Sequence, residues 1–297
     1  MCAMRRAYRD ALKISTVMSW IVDEWKKDFI FLTLTVPNVT AAELPATISE
    51  MNKAWHKLVR RRAIADHVDN GFIRKLEVTY DGEPVITRDM WEGAGKHNGK
   101  PRAAYYTRKG YNIGDANPNY NTYHPHFHAV IAVNKSYFKS RDYISHAKWL
   151  KMWQESMRNP LITQVDVRRI KRHEDAAEMA GGFDVREFAK YAAKDSDYLV
   201  DKQVFDTFYR ALKGRQAQTF SGLFADGNRR YKAGELDGYM QPDVTEYMYE
   251  VFFRWHGNEY GETKRRKLNP KQDWDLVKRG ISIAERKSKD TSQGENE

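Results

Sequence analysis

The run His124-Pro125-His126-Phe127-His128 sets three imidazoles at a spacing of two. On an extended strand, residues two apart leave the same face, so the three rings project together while Phe127, Ala129, Ile131 and Val133 turn into a core. Neutral imidazole nitrogen binds divalent cations, and two such ligands leave coordination positions open for water or a phosphate oxygen. Glu77 sits on the polar side of a second alternating segment. With the two strands in register, its carboxylate would add a third, harder ligand suited to Mg or Mn. The pattern admits plainer readings too. Alternating histidines can be ordinary solvent-facing strand positions, and a zinc site would want a further His or Cys, whereas Cys2 is remote in sequence.

A second set has helical spacing. Glu187, Tyr191, Lys194 and Tyr198 are separated by four, three and four residues, which on a helix aligns them in one stripe. A phenol with a pKa of about 10 is a poor nucleophile at neutral pH, so Tyr191 would need a polarised phosphate and a nearby cation such as Lys194. Glu187 could serve as base for the phenol or for water. The competing account makes Glu187 a helix cap, Lys194 a solvated charge and the two tyrosines half-buried packing residues.

Elements must position these groups. Ala7, Ala11, Ile14, Met18, Ile21 and Trp25 recur at helical spacing, and the aromatic and Thr-rich run 29–35 reads as a strand broken by Pro37 and Asn38. Thr40 with Glu43 predicts a capping box before a helix that reaches about Arg62. Over 72–80 the alternation puts Phe72, Leu76, Val78 and Tyr80 on one face and Lys75, Glu77 and Thr79 on the other. Residues 81–121, rich in Gly, Asn, Asp and Lys, read as a long, mobile polar insertion between two strands. A strand over 123–133, a helix around 145–157 and a strand around 163–168 follow. An Ala/Gly-rich connection at 176–182 leads to a second capping box, Asp184 to Glu187, and a helix through Lys194. Residues 205–255 are aromatic and folded, and Lys264-Arg265-Arg266-Lys267 opens a charged, mobile tail.

Composition narrows the class. Seventeen Tyr, 13 Phe and 8 Trp in 297 residues argue for a folded chain, and no apolar run approaches the length of a membrane span or forms a signal peptide. A single cysteine excludes an internal disulfide framework and fits a reducing cytoplasm. Fifty Lys and Arg against 40 Asp and Glu leave a formal charge of +10, which favours polyanionic partners by counterion release.

Taken in order, Phe31-Leu32-Thr33-Leu34-Thr35, His124-Pro125-His126-Phe127-His128 and Lys190-Tyr191-Ala192-Ala193-Lys194-Asp195-Ser196-Asp197-Tyr198 resemble the three motifs of rolling-circle plasmid replication initiators of small Gram-positive plasmids, a branch of the HUH endonucleases. The segments 72–80 and 221–224 resemble the same family, and the resemblance extends over about residues 1–260. It implies an α+β fold, a five-stranded antiparallel sheet flanked by helices, with a central His strand, the Tyr helix over its open face and a C-terminal helical extension. It further implies His126 and His128 as ligands of Mg or Mn, with Glu77 the third by strand position, while His124 stays ambiguous. Tyr191 becomes the nucleophile, Glu187 the activator of water at termination, and Lys190, Lys194 and Tyr198 its neighbours in the motif.

The implied organisation is an N-terminal helix at 1–28, a nickase domain at 29–204 carrying the insertion, an extension at 205–260 and a tail at 261–297. The implied partners are DNA at a double-strand origin, a host helicase and a DNA polymerase, with a homodimer left open. The start Met1-Cys2-Ala3-Met4 resembles the end of a Cys-containing stretch, so either the chain begins late or that segment is lost. The insertion is longer than the family pattern leads one to expect. Rival functions are an HUH transposase or conjugative relaxase, sharing the metal chemistry, and a non-catalytic DNA-binding replication protein.

Overall fold

The structure is a computed structural model that describes residues 3–68, 70–94, 101–141, 143–170, 183, 200–239, 249–255, 257 and 260–267. The second capping box, its helix and the Ala/Gly-rich connection before it lie outside the described residues. In chain order the elements are α1 (Ala3–Trp25), β1 (Lys27–Thr35), α2 (Leu44–Val59), α3 (Arg62–Val68), β2 (Phe72–Asp81), α4 (Arg88–Glu92), α5 (Ala103–Arg108) and β3 (Thr122–Asn134). They continue with α6 (His146–Met157), β4 (Val165–Ile170), α7 (Lys202–Leu212), β5 (Gln218–Phe220), α8 (Gly222–Ala233), β6 (Tyr249–Trp255) and β7 (Tyr260–Lys267). None of the described helices is long and apolar enough to cross a membrane.

The chain divides into two units, Met1–Gln241 and Pro242–Glu297. The first holds a five-stranded antiparallel sheet in the order β4-β1-β3-β2-β5, with the His strand β3 at its centre, so the α+β architecture expected above is the one found. Its fifth strand and helix α8 come from residues after 204, and α7 runs across that position. In the second unit β6 and β7 form an antiparallel pair, and β7 takes in the charged run with which the expected tail begins.

Strand alternation divides the side chains between two faces. One carries Ile30, Leu32, Leu34, Phe72, Leu76, Phe127 and Ile131 against α2, α6 and α7, where Trp55, Trp149 and Trp153 are fully buried. Trp55 meets Phe72 and Phe127 edge-on at 5.0 and 6.1 Å, a favoured aromatic geometry. Arg74 shares this apolar face by the same alternation. Its guanidinium lies 4.2 Å from the Phe127 ring centre and 5.3 Å from that of Trp55, and it donates to Asn52 Oδ1 at 2.8 Å. Burial lowers its pKa to about 10, which still leaves it charged at neutral pH.

The opposite face is split along the strand direction. One half is apolar, with Phe29, Phe31, Ile73, Val130 and Ala132 packed under Ile14, Val17, Met18 and Ile21 of α1 and Phe224 of α8. The other half carries His124, His126, His128, Glu77 and Thr33. Helices α1 and α8 cross closely because α8 has Gly227 at the contact, where a Cβ would stand 2.5 Å from Val17 Cγ1.

Two local expectations change. The helix after Thr40 stops at Val59 and restarts at Arg62, although Glu43 does accept from the Thr40 N–H at 2.9 Å as half of a capping box. The segment 81–121 is no irregular polar loop, for its described residues fold over a small core of Ile86, Met90 and Tyr106 with Trp91 and Tyr111 packed against it. Thr87 caps α4 by accepting from the Met90 N–H, Gly93 closes it at φ 72°, and Asn117 donates to Asp81 and to the Glu83 carbonyl.

The turn into β2 is tied to the start of α8. Leu223 N–H donates to the Asn70 carbonyl and Ser221 N–H to that of Phe72. At Gly71, with φ 107°, a Cβ would lie 2.3 Å from the Ser221 carbonyl oxygen. Gly71→Ala is therefore expected to lower unfolding free energy by about 3 kcal/mol or more, since strain and a backbone clash add. Gly214→Ala, at φ 74° with nothing within 4 Å, carries the dihedral cost alone and should lose about 1 kcal/mol. Urea titration of both variants separates the two contributions.

Candidate metal centre

The β2–β3 register sets Glu77 opposite His126 and Lys75 opposite His128. Directly opposed side chains on one face have Cβ atoms about 5 Å apart, and diagonal ones remain within reach of a long side chain. The Glu77 carboxylate uses both routes. Its Oε2 lies 2.7 Å from His126 Nε2 and 3.0 Å from His128 Nε2. All three side chains are buried, and their ligand atoms lie within 4.8 Å of one another. Among the described residues this is the one cluster of three or more His, Cys, Asp or Glu with such spacing.

The other ring nitrogens are held as well. His126 Nδ1 lies 3.1 Å from the His124 carbonyl, which can only accept, so Nδ1 carries a proton and Nε2 is the nitrogen turned to Glu77. His128 Nδ1 is 3.0 Å from Thr33 Oγ1, a hydroxyl that can donate or accept. The His128 ring stacks on Phe31 at 5.6 Å, and the Arg168 guanidinium lies 5.2 Å from the Phe31 ring centre. Arg168 itself pairs with Asp166 at 2.8 Å.

Charge defines what the cluster lacks. Burial works to raise the Glu77 pKa, but hydrogen bonds and charge from His126 and His128 outweigh it and hold the carboxyl well below the usual carboxylate range. Burial above all pushes His128 down to about 4, with His126 and Lys75 adding to the effect and the bond to Glu77 opposing it. The two shifts make opposite demands, since the carboxylate is favoured by charged imidazoles and burial favours neutral ones. Burial thus favours a neutral His128 beside an ionised Glu77. Glu77 Oε1 is buried with no hydrogen-bond partner, so that oxygen still calls for a donor or a cation.

A divalent cation meets that need. Ligands about 2.1 Å from an octahedral ion stand about 3 Å apart along an edge, close to the separations found here. Glu77, His126 and His128 therefore fit a metal of this type, with His126 Nε2 already oriented by the bond at Nδ1.

The remaining residues singled out from sequence fall elsewhere. His124 is half-buried beside His126, with ring centres 5.3 Å apart, but is not among the three clustered groups. Burial first, then His126 and Arg102, lowers its pKa to about 4. Glu187, Lys190, Tyr191, Lys194 and Tyr198 lie outside the described residues. Thr33 was not assigned a role from sequence, although the alternation of Phe31, Thr33 and Thr35 puts all three on one strand face. What singles Thr33 out is its pairing with His128 across β1 and β3.

His128→Ala should weaken Mn2+ binding, read by electron paramagnetic resonance, by about 100-fold, and Thr33→Val by about tenfold through loss of ring orientation. In EDTA the folded chain resists the proton that His128 takes up below 6.5 when unfolded. The unfolded state thus binds more protons between about 6.5 and 4, and stability falls as pH drops through that window. Urea midpoints at pH 7 and 5 should show this loss, and His128→Gln should lessen it.

Comparison with known proteins supplies the family. The Rep_1 profile, described as a replication protein, matches residues 1–262. The chain is 37% identical over 202 residues to a Protein rep of Staphylococcus aureus, covering 68% of this chain and 69% of that one. It is 29% identical over 241 residues to a Protein rep of Streptococcus pneumoniae serotype 2 (80% of this chain, 62% of that one) and 28% identical over 286 residues to one of Bacillus amyloliquefaciens (86% and 71%). These alignments span 62 to 71% of the relatives' own lengths. No solved structure matches the chain. With the family profile matching from Met1 into β7, the chain belongs to the Rep_1 family of replication proteins.

Proposed function

We propose that this chain is a metal-dependent nickase that initiates rolling-circle plasmid replication, cutting one strand at the double-strand origin and remaining joined to the new 5′ phosphate through Tyr191. The observation that carries the reading is the buried cluster of Glu77, His126 and His128, whose ligand atoms converge within 4.8 Å while Glu77 Oε1 lacks a partner, in a replication protein. Lys75, on the same face, adds positive charge of the kind a phosphodiester needs. The net charge of +10 suits a polyanionic substrate.

In this reading Glu77, His126 and His128 hold Mg or Mn. When bound, the ion polarises the scissile phosphate as a Lewis acid. Tyr191 Oη forms a bond to phosphorus as the bond from phosphorus to the 3′ oxygen breaks. The phenolic proton is lost to solvent, and the departing oxygen takes a proton from water to become the 3′ hydroxyl that primes synthesis. Lys194 offsets the negative charge developing on the phenol oxygen. Because the phosphodiester energy is kept in the tyrosyl link, strand ends can be rejoined, and Glu187 activates water or assists a second strand end at release. A host helicase and polymerase act from the nick, and a homodimer would supply two such centres.

The decisive test incubates the protein with single-stranded oligonucleotides spanning candidate origin sequences and maps the DNA-linked peptide by mass. Wild type should form the adduct with Mn2+ and lose it in EDTA, Tyr191→Phe should form none, and Glu187→Ala should form it but release it slowly. An adduct on Tyr191→Phe protein would overturn the assignment of the nucleophile.

A further inference from the structure

The insertion between β2 and β3 carries a surface with no part in the metal centre. Residues 100–109 contain four basic side chains and no acidic one. Arg102 is the N-cap of α5 and Tyr105, Arg108 and Lys109 follow at intervals of three and four, so these side chains share a flank of the helix. All four are exposed, whereas Tyr106 on the other flank is fully buried in the small core. Among the described residues neither Arg108 nor Lys109 has an ion-pair partner, and Arg102 has only a loose one, 3.9 Å from Asp81.

This flank is rigidly supported and aimed. Tyr105 stands edge-on to Tyr106 at 5.3 Å, and Tyr106 stacks on Trp91 at 5.9 Å, so an exposed ring is held in place before any partner arrives. Asp81, beside Arg102, is the last residue of β2 and lies on the strand face of Glu77 and Thr79. The basic end of the insertion therefore begins where the polar half of the sheet ends. Cations three to four residues either side of an exposed aromatic ring match the alternation of phosphate and base along a single strand, in which every base offers a face for stacking.

We propose that α5 and its flanks form a track for single-stranded DNA, with Arg102, Arg108 and Lys109 taking phosphates and Tyr105 stacking on a base, and that this track leads a strand to the metal centre. The proposal rests on the nickase reading for its direction, but binding to the track needs neither metal nor Tyr191. An acidic protein would use the charges and gain little from the ring, so Tyr105 distinguishes the two partners.

The test uses full-length protein and a fluorescent (dT)20 oligonucleotide in EDTA, across a salt series. Tyr105→Ala should weaken binding roughly tenfold, and Tyr105→Phe should retain it, because stacking needs the ring and not the hydroxyl. Arg108→Ala with Lys109→Ala should reduce the slope of log affinity against log salt by about 1.4, or about 0.7 for each phosphate no longer neutralised. Unchanged affinity in Tyr105→Ala together with an unchanged slope in the double variant overturns the track, and loss of binding to an acidic protein alone would reassign the surface. Adduct formation by wild type is scored separately. If it occurs while the insertion variants bind (dT)20 normally, the track fails and the nickase stands. If no adduct forms while those variants still lose (dT)20, the nickase reading fails and the track stands.

Discussion

A buried carboxylate oxygen that meets two imidazole nitrogens at 2.7 and 3.0 Å constrains everything built around it. The contact exists only because β2 and β3 pair with Glu77 opposite His126. A slip of one residue would send Glu77 to the apolar face and leave a carboxylate among Trp55 and Phe127. Register is therefore enforced from both sides of the sheet. Hydrophobic burial against α2 and α6 fixes one face, and the electrostatic cost of an unpaired buried charge fixes the other.

The division of the His face into an apolar and a polar half explains how one small sheet serves both stability and chemistry. Among the described residues, helices α1 and α8 pack over Phe29, Phe31, Ile73, Val130, Ala132, Ile170 and Phe220, and they cross closely at Gly227. Phe31 marks the border, since its ring packs in the covered half while one face stacks on His128 and Arg168 approaches it. The polar end has low solvent access, a setting in which an ion pair or a metal has much greater effect than in water. The orphaned Oε1 of Glu77 is costly unless a cation or a hydrogen-bond donor completes the site.

The segment between β2 and β3 carries a surface of its own without disturbing the centre of the sheet. It begins and ends at neighbouring positions of the β2–β3 hairpin, Asp81 paired with Thr122, so its length costs the sheet nothing in register. Its own core of Ile86, Met90 and Tyr106 lets it hold side chains in fixed directions. Short helices with caps at Thr87 and Gly93 replace what composition alone presents as polar loop.

Properties that repeat along the chain were legible in the sequence. The period-two placement of His124, His126 and His128, the two faces of residues 72–80, the α1 stripe and the order of motifs that resemble the replication initiators all depend on residues a few positions apart. Tertiary structure decided the rest, because it depends on pairings between residues distant along the chain. Thr33 acquired a purpose only when β1 paired with β3, and Arg74 was placed on an apolar face by alternation but found its support in Trp55, Phe127 and Asn52. The core of the insertion stayed hidden because its apolar residues are few and scattered between polar ones. The family resemblance already implied Glu77, His126 and His128, but the physical basis of that set came from register and burial, for spacing on a strand says which side chains share a face but not which of them meet a carboxylate from another.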